Sequence, residues 1–322
     1  MKKITIEEIF KIKAKDLSLT LLSQKNGLKN VIKSSELHRP GLVFAGHFDT
    51  FDFDRIQVLG ETEIKYLKSM TKSKRYDIIK EIFTRFKIPC IITSKGLLPD
   101  KELLFLADEN GIPVFKSRLS TSNLMNRLSA FLQDYFAPSK SIHGTLVDVL
   151  GIGVLITGKS GIGKSECALS LISRGYRLIA DDVIKIKNKE GIIVGEVNKK
   201  LGHFMEIRGI GLLDIETMFG IQAIRMQKRI EIQVELTPWR QNMDYERIGL
   251  KDRFCRILDV EIPIIYLPVS PGKNIVDIIE VVALNHMLKI YGHNAAKIFN
   301  EKIKREIERK NRTRTYLEED KE

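Results

Sequence analysis

Gly158-Lys159-Ser160-Gly161-Ile162-Gly163-Lys164-Ser165 spells G-x-x-x-x-G-K-[ST], the pattern of a loop that wraps a chain of phosphates. Glycines let consecutive backbone N–H groups converge on phosphate oxygens, and the start of a helix adds partial positive charge at the same place. Lys164 is placed to reach the β- and γ-phosphates of a nucleotide, and Ser165 to hold Mg2+. The context is what this chemistry requires: residues 153–157 form an apolar, strand-like run before the loop, and residues 166–172 carry helical apolar spacing after it.

Other positions carry chemistry of their own. The apolar run 177–180 ends in Asp181-Asp182, and ligands of α/β sheets gather at the carboxyl ends of strands. Neighbours on a strand face opposite ways, so one carboxylate of the pair aims at a reacting phosphate while the other orients a ligand or caps a turn. A plain Asp-Asp turn also accounts for them. His143-Gly144 precedes the strand that feeds the loop, and a lone histidine is more often structural than functional. In residues 205–214, alternation puts Glu206 and Arg208 on one face. Glu206 then either shares the cation held by Ser165 or pairs with Arg208 at the surface. Residues 268–274 follow a strand over 262–267 and offer Lys273 and backbone donors to an anion, or form an ordinary turn before a helix at 275–290.

The elements that position these residues are legible in outline. Residues 3–14 and 16–25 read as a short helix and a strand region. Buried strands at 88–93 and 112–115 flank a helix between Pro99 and Gly111, a β-α-β order that implies an α/β sheet. Leu124, Leu128, Phe131, Leu132 and Tyr135 line one face of a helix over 121–136. Ala137-Pro138-Ser139-Lys140 then reads as a boundary. The division expected is an N-terminal α/β domain of residues 1–133 and a C-terminal P-loop (Walker A) kinase domain of residues 134–322.

The length of 322 residues suits about two domains. No run of about 18 apolar residues is present, and Glu7 and Glu8 interrupt the N-terminal stretch, so neither a membrane span nor a signal peptide is expected. Cys90, Cys167 and Cys255 lie far apart, with no metal-ligand spacing, which fits a reducing cytoplasm. Cys167 reads as buried packing. The net charge of +12 suits an acidic or phosphorylated partner. Residues 301–310 mix both signs, however, as a solvated helix does, and no nucleic-acid-binding motif accompanies the charge.

Together the segments Ile142-His143-Gly144, 158–165, 178–182, 206–214, Asp244-Tyr245-Glu246-Arg247-Ile248-Gly249 and 268–274 resemble the HPr kinase/phosphorylase family, bifunctional serine kinases of bacterial carbon regulation. Leu37-His38-Arg39-Pro40-Gly41-Leu42 and Arg55-Ile56-Gln57-Val58-Leu59-Gly60 extend the resemblance over nearly the whole chain. It implies that Asp182 accepts the proton of the substrate serine, with Asp181 supporting it near the metal. It implies that His143 joins the active site, Lys164 binds phosphate, and Ser165 and Glu206 ligate Mg2+. Arg247 would serve chiefly the reverse reaction, and 268–273 would form the loop engaged in dephosphorylation. ATP is the implied donor, inorganic phosphate the co-substrate of the reverse reaction, HPr the partner and a homohexamer the assembly, with no role for nucleic acid or membrane. Lys159 stands where the family usually has an acidic residue, and Lys273 where arginine is commoner; lysine keeps the charge but loses the two-point fork. The loop alone also fits a small-metabolite kinase, and the basic charge a nucleic-acid-linked ATPase. The G-x-G-x-x-G, His-Arg-Asp and Asp-Phe-Gly signatures of eukaryotic protein kinases do not occur.

Overall fold

The structure is a computed structural model that describes residues 2–198, 202–239, 252–270 and 272–319. The chain forms two compact units, Met1–Ala137 and Pro138–Glu322, both of mixed α/β composition.

In the first unit, strands Leu37–His38, Ile56–Leu59, Ile91–Thr93 and Val114–Ser117 lie parallel in that order, and Leu19–Leu21 adds to the last of them antiparallel. The expected β-α-β order is present, with helix Lys101–Glu109 joining Ile91–Thr93 to Val114–Ser117. Period two sorts the strand residues between two faces. Leu59, Ile91 and Val114 pack with Ile64, Ile79, Ile82, Leu103 and Leu106. Ile56, Val58, Ile92 and Phe115 pack instead with Ile6, Ile9, Leu124, Leu128 and Leu132, from helices Ile6–Lys13 and Thr121–Phe136. Both faces of a parallel sheet are thereby covered by helices, as its apolar strands require. The first helix starts at a capping box, where Thr5 accepts from the Glu8 N–H and the Glu8 carboxylate accepts from the Thr5 N–H.

The second unit is built on a six-stranded sheet. Its strands run in the order Arg177–Ala180, Thr145–Val149, Ile152–Gly158, Ile232–Pro238, Val260–Val269 and Phe254–Ile257. Ile152–Gly158, Ile232–Pro238 and Val260–Val269 are parallel. On one face, Val154 and Ile156 pack against Ala168, Leu171 and Ile172 of helix Lys164–Ser173 and against Ile279 and Ala283 of helix Ile275–Ile290. On the other, Leu146, Leu155 and Ile179 meet Ile184, Ile186 and Ile193 of a second, four-stranded sheet. Cys167 is buried in the helical layer, as expected, and burial pushes its thiol up to about 12.

The chain passes between the two sheets twice, side by side. Strand Ser139–His143 of the four-stranded sheet leads through Gly144 into Thr145–Val149 of the six-stranded one. Strand Arg177–Ala180 leads back through Asp181-Asp182 into Val183–Lys189. Val183 is in register with His143, and Ala180 with Leu146. The crossings therefore bring His143, Thr145, Asp181 and Asp182 to one place. It lies at the edge where Ile152–Gly158 ends in the phosphate loop, because Thr145 pairs with Ile156. No helix among the described residues is long and apolar enough to cross a membrane.

Candidate active site

The glycine loop adopts the backbone its sequence demands. Gly161 and Gly163 have φ of 78° and 100°, a region that glycine occupies without a steric penalty. Gly163 is the N-cap of helix Lys164–Ser173, so the helix begins on the last two residues of the motif. At Gly158 a Cβ would come 2.6 Å from the Leu236 carbonyl oxygen of the neighbouring strand. The Lys164 ammonium donates to the carbonyls of Gly158 and Lys159, at 3.2 Å each, so it lies along the glycine loop.

The two adjacent carboxylates take different positions, and not for the reason that strand alternation supplies. The strand ends at Ala180, and both lie beyond it. Asp182 is left-handed, with φ of 61°, a conformation that aspartate tolerates better than most residues. The bend is held by the Val183 N–H on the Asp181 carbonyl (2.8 Å) and the Gly144 N–H on the Asp182 carbonyl (3.1 Å). It turns Asp181 inward and Asp182 out to solvent.

Asp181 is the carboxylate that meets the phosphate loop. Its Oδ2 accepts from the Ser165 hydroxyl at 2.9 Å and its Oδ1 from the Thr145 hydroxyl at 2.5 Å. Burial raises its pKa above the ordinary aspartate value, and the Thr145 and Ser165 hydroxyls act against that rise by bonding the charged form. Asp182 is 82% exposed, and its Oδ1 stands 3.6 Å from Nδ1 of the equally exposed His143. That separation is too long for a direct hydrogen bond but close enough for attraction when the imidazole is protonated. An open carboxylate beside a histidine is free to meet an incoming hydroxyl group.

Hairpin Phe204–Ile207 and Gly211–Asp214 brings a further cation. Met205 and Ile207 are buried, so Glu206 and Arg208 share the exposed face that alternation assigned to them. They do not form the surface pair that their spacing allowed. Arg208 reaches instead over the phosphate loop, its Nη2 at 3.5 Å from Ser160 Oγ, and a Cβ on Gly161 would fall 2.5 Å from its Nη1. A guanidinium over Ser160 and Gly161 gives the loop a further cation, one able to hold phosphate in two-point contact. Alternation sets Arg208 on the same face as Glu206, and only the folded chain reveals that it touches Ser160. Glu206 remains exposed on the hairpin, without a hydrogen bond to Ser165 or Asp181. Among the described residues no three His, Cys, Asp or Glu side chains converge as a metal cage. The Ser165 hydroxyl and the Asp181 carboxylate are nevertheless hard oxygen donors. Such a sparse set fits Mg2+, which keeps several waters and takes its other ligands from substrate phosphates.

The loop after strand Val260–Val269 lies at the same carboxyl edge of the sheet. Its Lys273 sits with Nζ 5.4 Å from the ring centre of Trp239, which follows strand Ile232–Pro238. Arg247 and its neighbours 244–249 lie outside the described residues.

Residues 134–303 match the family described as the HPr Serine kinase C-terminal domain, and residues 4–132 the family described as the HPr Serine kinase N terminus. The chain is 45% identical over 295 residues to the HPr kinase/phosphorylase of Chlorobium phaeobacteroides strain BS1, covering 91% of this chain and 87% of that one. It is 43% identical over 315 residues to the HPr kinase/phosphorylase of Prosthecochloris aestuarii, covering 96% and 92%. Among solved structures, the Hpr(Ser) kinase/phosphatase from Coxiella burnetii aligns at 33% identity with a TM-score of 0.45, covering 50% of this chain and 99% of that one.

Proposed function

The chain belongs to the HPr serine kinase family, and on that premise we propose that it transfers the γ-phosphoryl group of ATP to a serine of the carrier protein HPr, and removes it again by phosphorolysis. The observation that supports this reading is the division of labour between two adjacent carboxylates: Asp181 bonds the loop's Ser165, while Asp182 stands open beside His143.

Lys164, Arg208 and the loop N–H groups hold the phosphates. Ser165 and Asp181 would hold Mg2+, with Glu206 as a further carboxylate on the hairpin. When bound, that ion neutralises phosphate charge as the phosphoryl group moves. Asp182 accepts the serine proton as the serine oxygen bonds to the γ-phosphorus and ADP departs. His143 stands 3.6 Å from that carboxylate, on the same open side of the site. In the reverse direction, inorganic phosphate held by the loop attacks the phosphorus of phosphoserine. The serine oxygen leaves with a proton from Asp182, and pyrophosphate forms. One site serves both directions because the phosphoryl group moves between the same two loci. The same reading makes the chain a cytoplasmic homohexamer in carbohydrate metabolism, with catalysis in residues 134–322, residues 1–133 as a separate α/β domain, and no nucleic acid or membrane required.

Incubation with HPr and Mg2+–ATP, followed by excess inorganic phosphate, tests the proposal. Phosphoserine is expected to rise and then fall, with one pyrophosphate per serine restored. HPr left unphosphorylated, while a small metabolite or nucleic acid stimulates ATP turnover, would refute it.

Arg247 supplies a second test. A guanidinium helps most when free phosphate, lacking the anchorage of a nucleotide, must be fixed as the nucleophile. Arg247→Ala is expected to slow dephosphorylation of phospho-HPr about 10- to 100-fold, as loss of a charged hydrogen-bonded contact does, and phosphorylation far less. Equal losses in the two initial rates, at saturating phosphate and saturating ATP, would take Arg247 out of the phosphate site.

A further inference from the structure

One group in the site has no part in the chemistry above. Thr145 is fully buried, and its hydroxyl donates to Asp181 Oδ1 at 2.5 Å. It is held firmly. Its backbone pairs with Ile156 in the strand that ends in the phosphate loop. The preceding Gly144 passes so close to that strand that a Cβ would come 2.7 Å from the Ile156 carbonyl oxygen. A β-branched side chain on such a strand has little rotational freedom. Asp181, by contrast, lies just beyond the end of its strand, in the bend between the two sheets, where the hydroxyls of Thr145 and Ser165 bond its two carboxylate oxygens.

With Oδ1 committed to Thr145, the carboxylate can direct only Oδ2 toward Ser165. We propose that Thr145 is a positioning residue for the divalent-cation site: its buried hydroxyl locks the rotation of the Asp181 carboxylate so that one oxygen stays aimed at the cation held by Ser165. The inference rests on the reading that Ser165 and Asp181 hold that cation. Removing an orienting hydrogen bond behind a metal ligand typically weakens metal binding about 10- to 100-fold.

The probe is Mn2+, with the full chain and a non-hydrolysable ATP analogue, reading free Mn2+ by its electron paramagnetic resonance signal. Thr145→Val keeps the shape and removes the donor; Thr145→Ser restores it. Thr145→Val is expected to weaken Mn2+ binding about tenfold and Thr145→Ser less than about threefold, with affinity for the analogue in the absence of metal unchanged. In the kinase assay Thr145→Val should raise the KM for Mg2+ while kcat at saturating Mg2+ holds. Normal Mn2+ affinity in Thr145→Val, alongside weakened binding in Asp181→Asn, overturns the role of Thr145 alone. Normal affinity in Asp181→Asn overturns the metal assignment and this inference with it. A loss in Thr145→Val that Thr145→Ser does not recover, or that extends equally to metal-free analogue binding, marks Thr145 as a packing residue and also overturns the proposal.

Discussion

Lys164→Ala is expected to abolish both phosphorylation of HPr and phosphorolysis of phospho-HPr, each falling on the order of 10²–10³-fold or more, the scale on which a preorganised donor to a developing charge contributes. Both directions need a phosphate seated in the same loop, and the Lys164 ammonium already lies along it through the Gly158 and Lys159 carbonyls. The fold should survive. Alanine is the best helix former, and position 164 is the first residue of its helix. Circular dichroism and thermal melting check that survival, and initial rates in both directions check the loss. Near-normal phosphorylation by the variant would remove the phosphate-loop assignment.

Asp182→Asn separates chemistry from binding. Asn keeps the shape of Asp, tolerates the left-handed backbone at φ 61°, and loses the ability to accept a proton. The side chain is 82% exposed, so the change in stability should stay within about 0.5 kcal/mol. Turnover in both directions is expected to fall about 10²–10⁴-fold, the usual contribution of a positioned general base, while the affinity for nucleotide with Mg2+ stays at the wild-type level. Loss of that affinity together with turnover would make Asp182 a metal or structural group. Normal turnover would leave Asp181 as the remaining candidate for the base.

The contrast between Lys164 and Asp182 marks how far the sequence could be read. The glycine loop, its feeding strand and its helix are contiguous, and their conformation is written in glycine spacing and in two local periodicities; Gly161 and Gly163 take positive φ, and Lys164 opens the helix. The helices over 121–136 and 275–290 and the strands around 91–93 and 114–117 follow from the same short-range physics. The family resemblance likewise lies in contiguous motifs.

What stood outside that reach is whatever depends on two distant segments meeting. Strand alternation could offer Asp181 and Asp182 opposite faces but could not say which one would meet Ser165, because the pair lies past the end of its strand, in a bend between two sheets. Thr145 carried no motif of its own, and its contact with Asp181 spans 36 positions of sequence. Arg208 had an apparent partner two residues away in Glu206, yet it reaches Ser160 across 48 positions. A backbone dihedral or a helical period is set by neighbours in the chain and is therefore legible in the sequence. Which hydroxyl orients a carboxylate is set by burial of Leu146, Ile179 and Ala180 in one core, and which guanidinium covers a loop by burial of Ile156, Met205 and Ile207 in another, so both exist only once the chain has folded.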